Sequence, residues 1–341
     1  MSTAAQSNPR TGEPRTLIGW QGVRFTLPPE WNVTGFSTER GEGYLKVDSP
    51  DTMFVQVKWS SPGTPRARTL GDLLLAGWRR WRGQIAAAPR PPDLRGTLDR
   101  FLKERARRTR KSRAAFDYKV KPEVEEAGGE RLAHHFSWKG AGQAQGKIWH
   151  CRSCGRVMVA QVVGQARDNV ADVAAAMFGS MRDHSEDGWD VWALYDLVAA
   201  VPESFRLAAH KLMSGQLRLE FARRGERIRI ERWGLANVAR KRFTLKEWME
   251  HATEARAHRA PAREGADIQG HEGVTAHGRV CGPIALVRAV RDALPSLRPG
   301  TRYDAQVWEC AESNKLYAVQ VWRNVRTKGL LEEVVARCEC H

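Results

Sequence analysis

Apolar and polar residues alternate over several short runs of this chain, and the runs recur. "FVQVKW", ending at Trp59, and "IRIERW", ending at Trp233, have the period of two that marks a half-buried strand. Each closes a longer unit. Residues 23–59 and 195–233 both begin with a strand-like stretch that ends at a proline, Pro28 or Pro202. An aromatic follows three residues later, Trp31 or Phe205. Gly43-x-Leu-Lys-Val then matches Gly215-x-Leu-Arg-Leu, and each proline lies 31 residues before its tryptophan. A self-similar period organises a fold before any local detail does.

The period changes from two to 3.6 after each unit. "TLGDLLLAGWRRWRGQIA" places Leu70, Leu73, Leu74, Trp78, Trp81 and Ile85 on one face. "TLKEWMEHATEARAHRA" follows in the second copy. Both open with Thr-x-x-acid, at Thr69 and Asp72 and at Thr244 and Glu247. In that capping pattern the threonine oxygen accepts from a free backbone N–H and the acid reaches back. "GKIWHCRSCGRVMVAQVVG" and "YDAQVWECAESNKLYAVQVW" each predict strand, tight turn and strand. "NVADVAAAMFGSMRDH" and "GLLEEVVARC" predict a closing helix for each copy.

The expected fold class is therefore α+β: two tandem similar domains, each an antiparallel sheet with helices packed on it. The expected divisions are a disordered arm over 1–16, a first repeat over 17–184 and a second over 190–341. Trp59 to Trp149 is 90 residues and Trp233 to Trp308 is 75, so the first copy carries about 15 more. The excess is assigned to a basic insertion near 99–116. The element order, with "LPPEW" in the first copy and "VPESF" in the second, resembles the PsbP-like family, named for an extrinsic photosystem II protein. The resemblance implies a binding or accessory role and carries over no functional residue.

Charge widens the choice of partners. The chain has 341 residues and a net charge of +16; of 55 basic residues, 13 are Lys and the rest Arg. Such a balance bears on partners and solubility rather than fold. Lys103, Arg105, Arg107, Arg108, Arg110, Lys111 and Arg113, with Glu104 as the one acid among them, form a candidate nucleic-acid contact. "WRRWRG" nearby sets arginine between tryptophans, although helical spacing favours core burial for those rings. An Arg-rich composition of the source proteome explains the same charge without function. No apolar run approaches a membrane span, and the polar N-terminus lacks a secretory pattern. A cytoplasmic protein without membrane contact is expected.

Six cysteines in a reducing compartment do not predict disulfides. Cys281 stands alone and reads as a buried thiol. Cys151-x-x-Cys154-Gly155 between two strands has the form of a zinc knuckle. A redox pair would open a helix, whereas "VMVAQVV" follows here. After the turn a strand runs away at ~3.3 Å per residue, and the closing helix returns at ~1.5 Å per residue. The helix end should thus lie by the hairpin tip. That brings His184 to His150, Cys151 and Cys154 in the first copy, and Cys338, Cys340 and His341 to Cys310 in the second. A grouping of Cys151 and Cys154 with Cys338 and Cys340 stays open, as does a set of reduced thiols binding nothing. A structural zinc is the cofactor these residues suggest.

Motifs of catalysis are missing. "GAGQAQGKI" fails as a phosphate loop on spacing and on Ile148 where Ser or Thr should stand, and reads as a hairpin turn. "RGEGY" lacks a third glycine and a following helix. His134 and His135 are neighbours on a strand and face opposite ways. Catalytic sets are assembled in space, so the motifs favour binding over catalysis without deciding it. Two functions follow: a non-enzymatic accessory protein with a protein partner, or a nucleic-acid-associated protein using 103–113.

Overall fold

The computed structural model describes residues 15–37, 42–60, 92–110, 115–280 and 301–340, without the side chains of 108–110. Residues 1–14 of the expected arm, the helix expected over 69–86, Cys281, Lys111, Arg113 and His341 lie outside these residues, whereas Thr16, expected in the arm, opens a strand. The chain divides into two compact units, 1–18 with 24–184, and 19–23 with 185–341.

The first unit contains β1 (Thr16–Trp20, in part), β2 (Val23–Leu27, in part), β3 (Asn32–Phe36), β4 (Glu42–Asp48) and β5 (Phe54–Ser60). Helix α1 (Leu94–Arg110) follows, then β6 (Asp117–Val120), β7 (Val124–Glu126), β8 (Arg131–Lys139), β9 (Gln143–Cys151), β10 (Val157–Gly164) and α2 (Val170–Ser180). The sheet order is β3-β4-β5-β10-β9-β8-β6, with β7 also paired to β8. Every pairing is antiparallel, as the alternation predicts. Leu94, Leu98 and Leu102 of α1 recur on one helical face and pack on Phe136, Ala144 and Ile148. Alternation along β9 turns Lys147, Trp149 and Cys151 to the opposite face. There α2 buries Val170, Ala174 and Met177.

The second unit contains β11 (Trp189–Leu194), β12 (Leu197–Pro202), β13 (Arg206–Met213), β14 (Gln216–Arg223) and β15 (Glu226–Gly234). Two short helices follow, α3 (Ala236–Arg240) and α4 (Leu245–Ala252), then β16 (Ala262–Ile268), β17 (His271–Arg279), β18 (Arg302–Cys310), β19 (Lys315–Arg323), α5 (Leu330–Val335) and β20 (Cys338–Glu339). Its sheet runs β13-β14-β15-β19-β18-β17-β16, the same path as in the first unit. Trp248 and Met249 of α4 pack with Tyr303, Ala305 and Val307 of β18. Trp308 and Cys310 fall on the other face, toward α5. The capping box at α4 forms as its sequence predicts: Thr244 Oγ1 accepts from Glu247 N, and Glu247 accepts from Thr244 N.

The expected α+β class needs correction. Among the described residues strand takes up 52% and helix 18%, in three sheets, so the architecture is closer to all-β. The helical runs are shorter than their patterns. Thr253 turns extended after α4, and Met181 after α2. The final segment leaves α5 after six residues. Cys338 and Glu339 then pair with Ala199 and Val198 of β12, which draws the chain end into a sheet. Within the basic stretch, residues through Arg110 belong to α1.

Candidate metal centres

Two groups of metal-ligating side chains occur among the described residues, one within each unit. Cys151, Cys154, Asp183 and His184 bring ligand atoms within 4.8 Å of one another, and so do His271, Cys310 and Cys340. A tetrahedral zinc with Zn–S near 2.3 Å and Zn–N near 2.0 Å sets its ligands roughly 3.3–3.8 Å apart. Both groups need only a small contraction to reach that.

In the first unit, β9 ends on buried Cys151 and the chain turns tightly. Cys151 N donates to Arg156 O at 3.0 Å and Gly155 N to Cys151 O at 2.8 Å. Gly155 has φ +70°, a conformation open to glycine at little cost. The Arg156 backbone N–H is aimed at the Cys154 sulfur, the contact a knuckle offers a thiolate. Burial foremost, with Cys151 and Asp183 adding to it, pushes the Cys154 thiol up to about 12.

The other two donors arrive on the segment after α2. Arg182 pairs with Arg24 through two backbone hydrogen bonds, fixing the approach. His184 Nδ1 then lies 3.6 Å from Cys151 Sγ and 2.9 Å from Asp183 Oδ1. Asp183 is fully buried. Trp149 Nε1 donates to its Oδ2 at 2.7 Å and Arg131 to its Oδ1 at 3.1 Å. Burial alone would raise this carboxyl, but Trp149, Arg131 and His184 together hold it below the usual value. His184 Nε2 is 3.9 Å from Glu130, so Nδ1 faces the group and the other nitrogen has an outer carboxylate to orient it.

The second unit repeats the plan with other residues. Buried Cys310 ends β18 as Cys151 ends β9, and Trp308 stands where Trp149 does. Cys340 follows the β20 pairing as Asp183 follows the Arg24 bridge. His271 Nε2 is 3.2 Å from Cys340 Sγ, and the Cys310 thiol donates to Cys340 O at 3.7 Å. Burial first, then Cys310, raises the Cys340 thiol to about 11, while the adjacent Trp308 indole pulls the other way. The third donor comes from strand register. Two residues beyond the Gly273–Trp308 pair on each strand lie His271 and Cys310. The same place opposite Cys151 is held by Arg131. A cation beside a carboxylate in one unit thus becomes an imidazole beside a thiol in the other.

Of the residues singled out from sequence, Cys151, Cys154, His184, Cys310 and Cys340 are brought together by unit. Cys338 is not: its thiol donates to Val334 O at 3.3 Å, a helical back-bond, and burial raises it to about 12. His150 points to the opposite face of β9 from Cys151. Asp183 and His271 join the groups unforeseen. The "RDH" run hinted at Asp183, and only the β17–β18 register reveals His271. On α1, Lys103 and Arg107 are exposed, whereas Arg105 donates to Gln56 Oε1 at 2.9 Å and lies over Trp138. His134 and His135 do face apart, toward Lys121 O and Glu126.

No family model and no curated protein matches the chain. Among solved structures it is similar to the solution structure of cyanobacterial PsbP (CyanoP) from Synechocystis sp. PCC 6803. That likeness has 13% identity and a TM-score of 0.31, and covers 53% of this chain and 99% of that one. This is a weak PsbP-like resemblance, and no residue role rests on it.

Proposed function

We propose that the protein is a non-enzymatic accessory protein whose two units are each stapled by a structural zinc. The observation that carries this reading is the recurrence of a sulfur and imidazole group at the same place in both units, between hairpin tip and post-helical segment. Cys151 and Cys154 with His184 and Asp183 make a full tetrahedral set in the first. The second needs one ligand beyond the three described. Buried Cys151 and Asp183, with carboxylate oxygens already held by Trp149 and Arg131, suit a structural ion better than a reactive one. Bound zinc would join each unit's hairpin tip to its closing segment, so its binding energy would act as folding energy.

The partner we propose is another protein. Leu235, Val238 and Phe243, exposed within nine residues, support an apolar contact surface on the second unit. The reading is tested with a zinc chelator in thermal unfolding. Stripping should lower Tm, and two equivalents of zinc, but not magnesium, should restore it. An unchanged Tm after complete stripping would contradict it. For the partner, a stoichiometric complex should purify from native lysate and dissociate with Val238→Asp; a complex indifferent to that change would point to another surface.

A further inference from the structure

We propose that the second unit binds a small ligand carrying a chain of phosphoryl groups, at the end of the sheet remote from Cys310. The reading does not depend on the metal centres. A cavity of about 830 Å³ opens there, lined by Arg259, Arg279, Arg302, Arg323, Lys328 and His277. Its lining holds one carboxylate, Asp304.

Strand register builds the cationic wall. Arg279 pairs with Arg302 and Arg302 with Arg323, so three guanidinium groups stand abreast on one face of β17, β18 and β19. Like charges directly opposite are unfavourable, and an anion relieves them. Asp304 serves as that anion for Arg323 alone. Its Oδ1 is taken by His277 Nδ1 at 2.9 Å and its Oδ2 by Arg323 Nε at 2.5 Å. The hydrogen bond to Asp304 also keeps His277 protonated to higher pH than usual, despite its partial burial. Arg279 and Arg302 have no acidic partner among the described residues.

A second feature of the lining is a buried imidazole. His258 is 5% exposed. Trp322 Nε1, a donor only, gives its hydrogen to His258 Nε2 at 2.9 Å. Glu254 Oε2 lies 3.4 Å from the same nitrogen, and His258 Nδ1 has no hydrogen-bond partner among the described residues.

The shape selects the ligand class. Adjacent strands are ~4.8 Å apart, so the outer arginines stand ~10 Å from each other. That is wider than a single phosphoryl group and suits two or three in a chain, met by the planar forks of Arg279 and Arg302, while Arg323 is already engaged by Asp304 and Thr327 O. The cavity is confined to one end of one sheet, in the size range of small-molecule sites. A strand of nucleic acid would call for a continued basic track.

Calorimetric titration of the full chain with inorganic diphosphate tests the site at fixed salt. One diphosphate per chain is expected, with affinity about tenfold weaker or worse in Arg279→Gln and in Arg302→Gln, as for a lost hydrogen bond to a charged group. Arg107→Gln on α1 should leave it unchanged. Arg279 is exposed, so its variant retains the fold even where Arg302→Gln does not. A single-stranded oligonucleotide forms the second arm and should be weak and displaced by diphosphate. Absence of diphosphate binding, equal binding by Arg279→Gln, or an oligonucleotide that diphosphate cannot displace would each overturn the proposal.

Discussion

Trp149 and Asp183 form the buried polar part of the first group. The indole holds one carboxylate oxygen while Arg131 and His184 hold the other. Trp149→Phe removes a donor from a buried charge and should cost about 1–3 kcal/mol in denaturant unfolding. The sign with pH follows from Asp183. Its folded pKa is lowered, so its contribution is present above the ordinary value of 3.8 and is lost as pH falls through the lower folded value. The variant should therefore unfold at a less acidic pH than the parent, which an acid titration followed by fluorescence measures. Cys154 works in the opposite sense. Its thiol is raised from 9.0 to about 12, so the metal-free protein should lose stability as pH climbs between those values. Zinc keeps the sulfur as thiolate in the folded state. The zinc-loaded protein should show no such loss, and parallel losses with and without metal would contradict the ligand assignment.

At the scale of elements, local signals were legible where one interaction decides the outcome. Thr244 and Glu247 announced the start of α4, and both halves of the capping box are made. Thr244→Ala should cost about 1 kcal/mol in chemical denaturation. Alternation placed β5, β15 and the two cysteine-tipped hairpins. Gly146, taken for part of a turn, instead lies within β9 beneath the Phe136 ring, where a Cβ would come 2.2 Å from that ring. Gly146→Ala should thus destabilise the first unit by displacing Phe136 from its contact with α1, seen as faster hydrogen exchange along β8 and β9. Helix ends were not legible. The apolar spacing of "GLLEEVVARC" continues past Val335, and only pairing of Cys338 with Ala199 of β12 decides that the chain leaves the helix. That tertiary competition is why helix was overestimated and the class misjudged.

Over the whole molecule, the repeat in sequence corresponds to one strand path followed twice. The return of each closing segment to its own hairpin tip could be reasoned from rise per residue alone. Cys151, Cys154 and His184, and Cys310 with Cys340, do lie together as the spacing predicts. His271 was not legible, because a residue brought in across a sheet depends on register that no spacing along the chain records. Spacing also included Cys338, one residue from Glu339 and two from Cys340, because the facing of a two-residue strand is set by its partner. The same blindness to register hid the row of Arg279, Arg302 and Arg323. The central claim is that each unit holds its own zinc. Elemental analysis of untagged protein, with Cys151→Ser and Cys310→Ser beside it, tests it most directly. The account predicts two zinc per chain in the parent and about one in each variant. A parent that purifies without zinc, or variants that keep both ions, would contradict it.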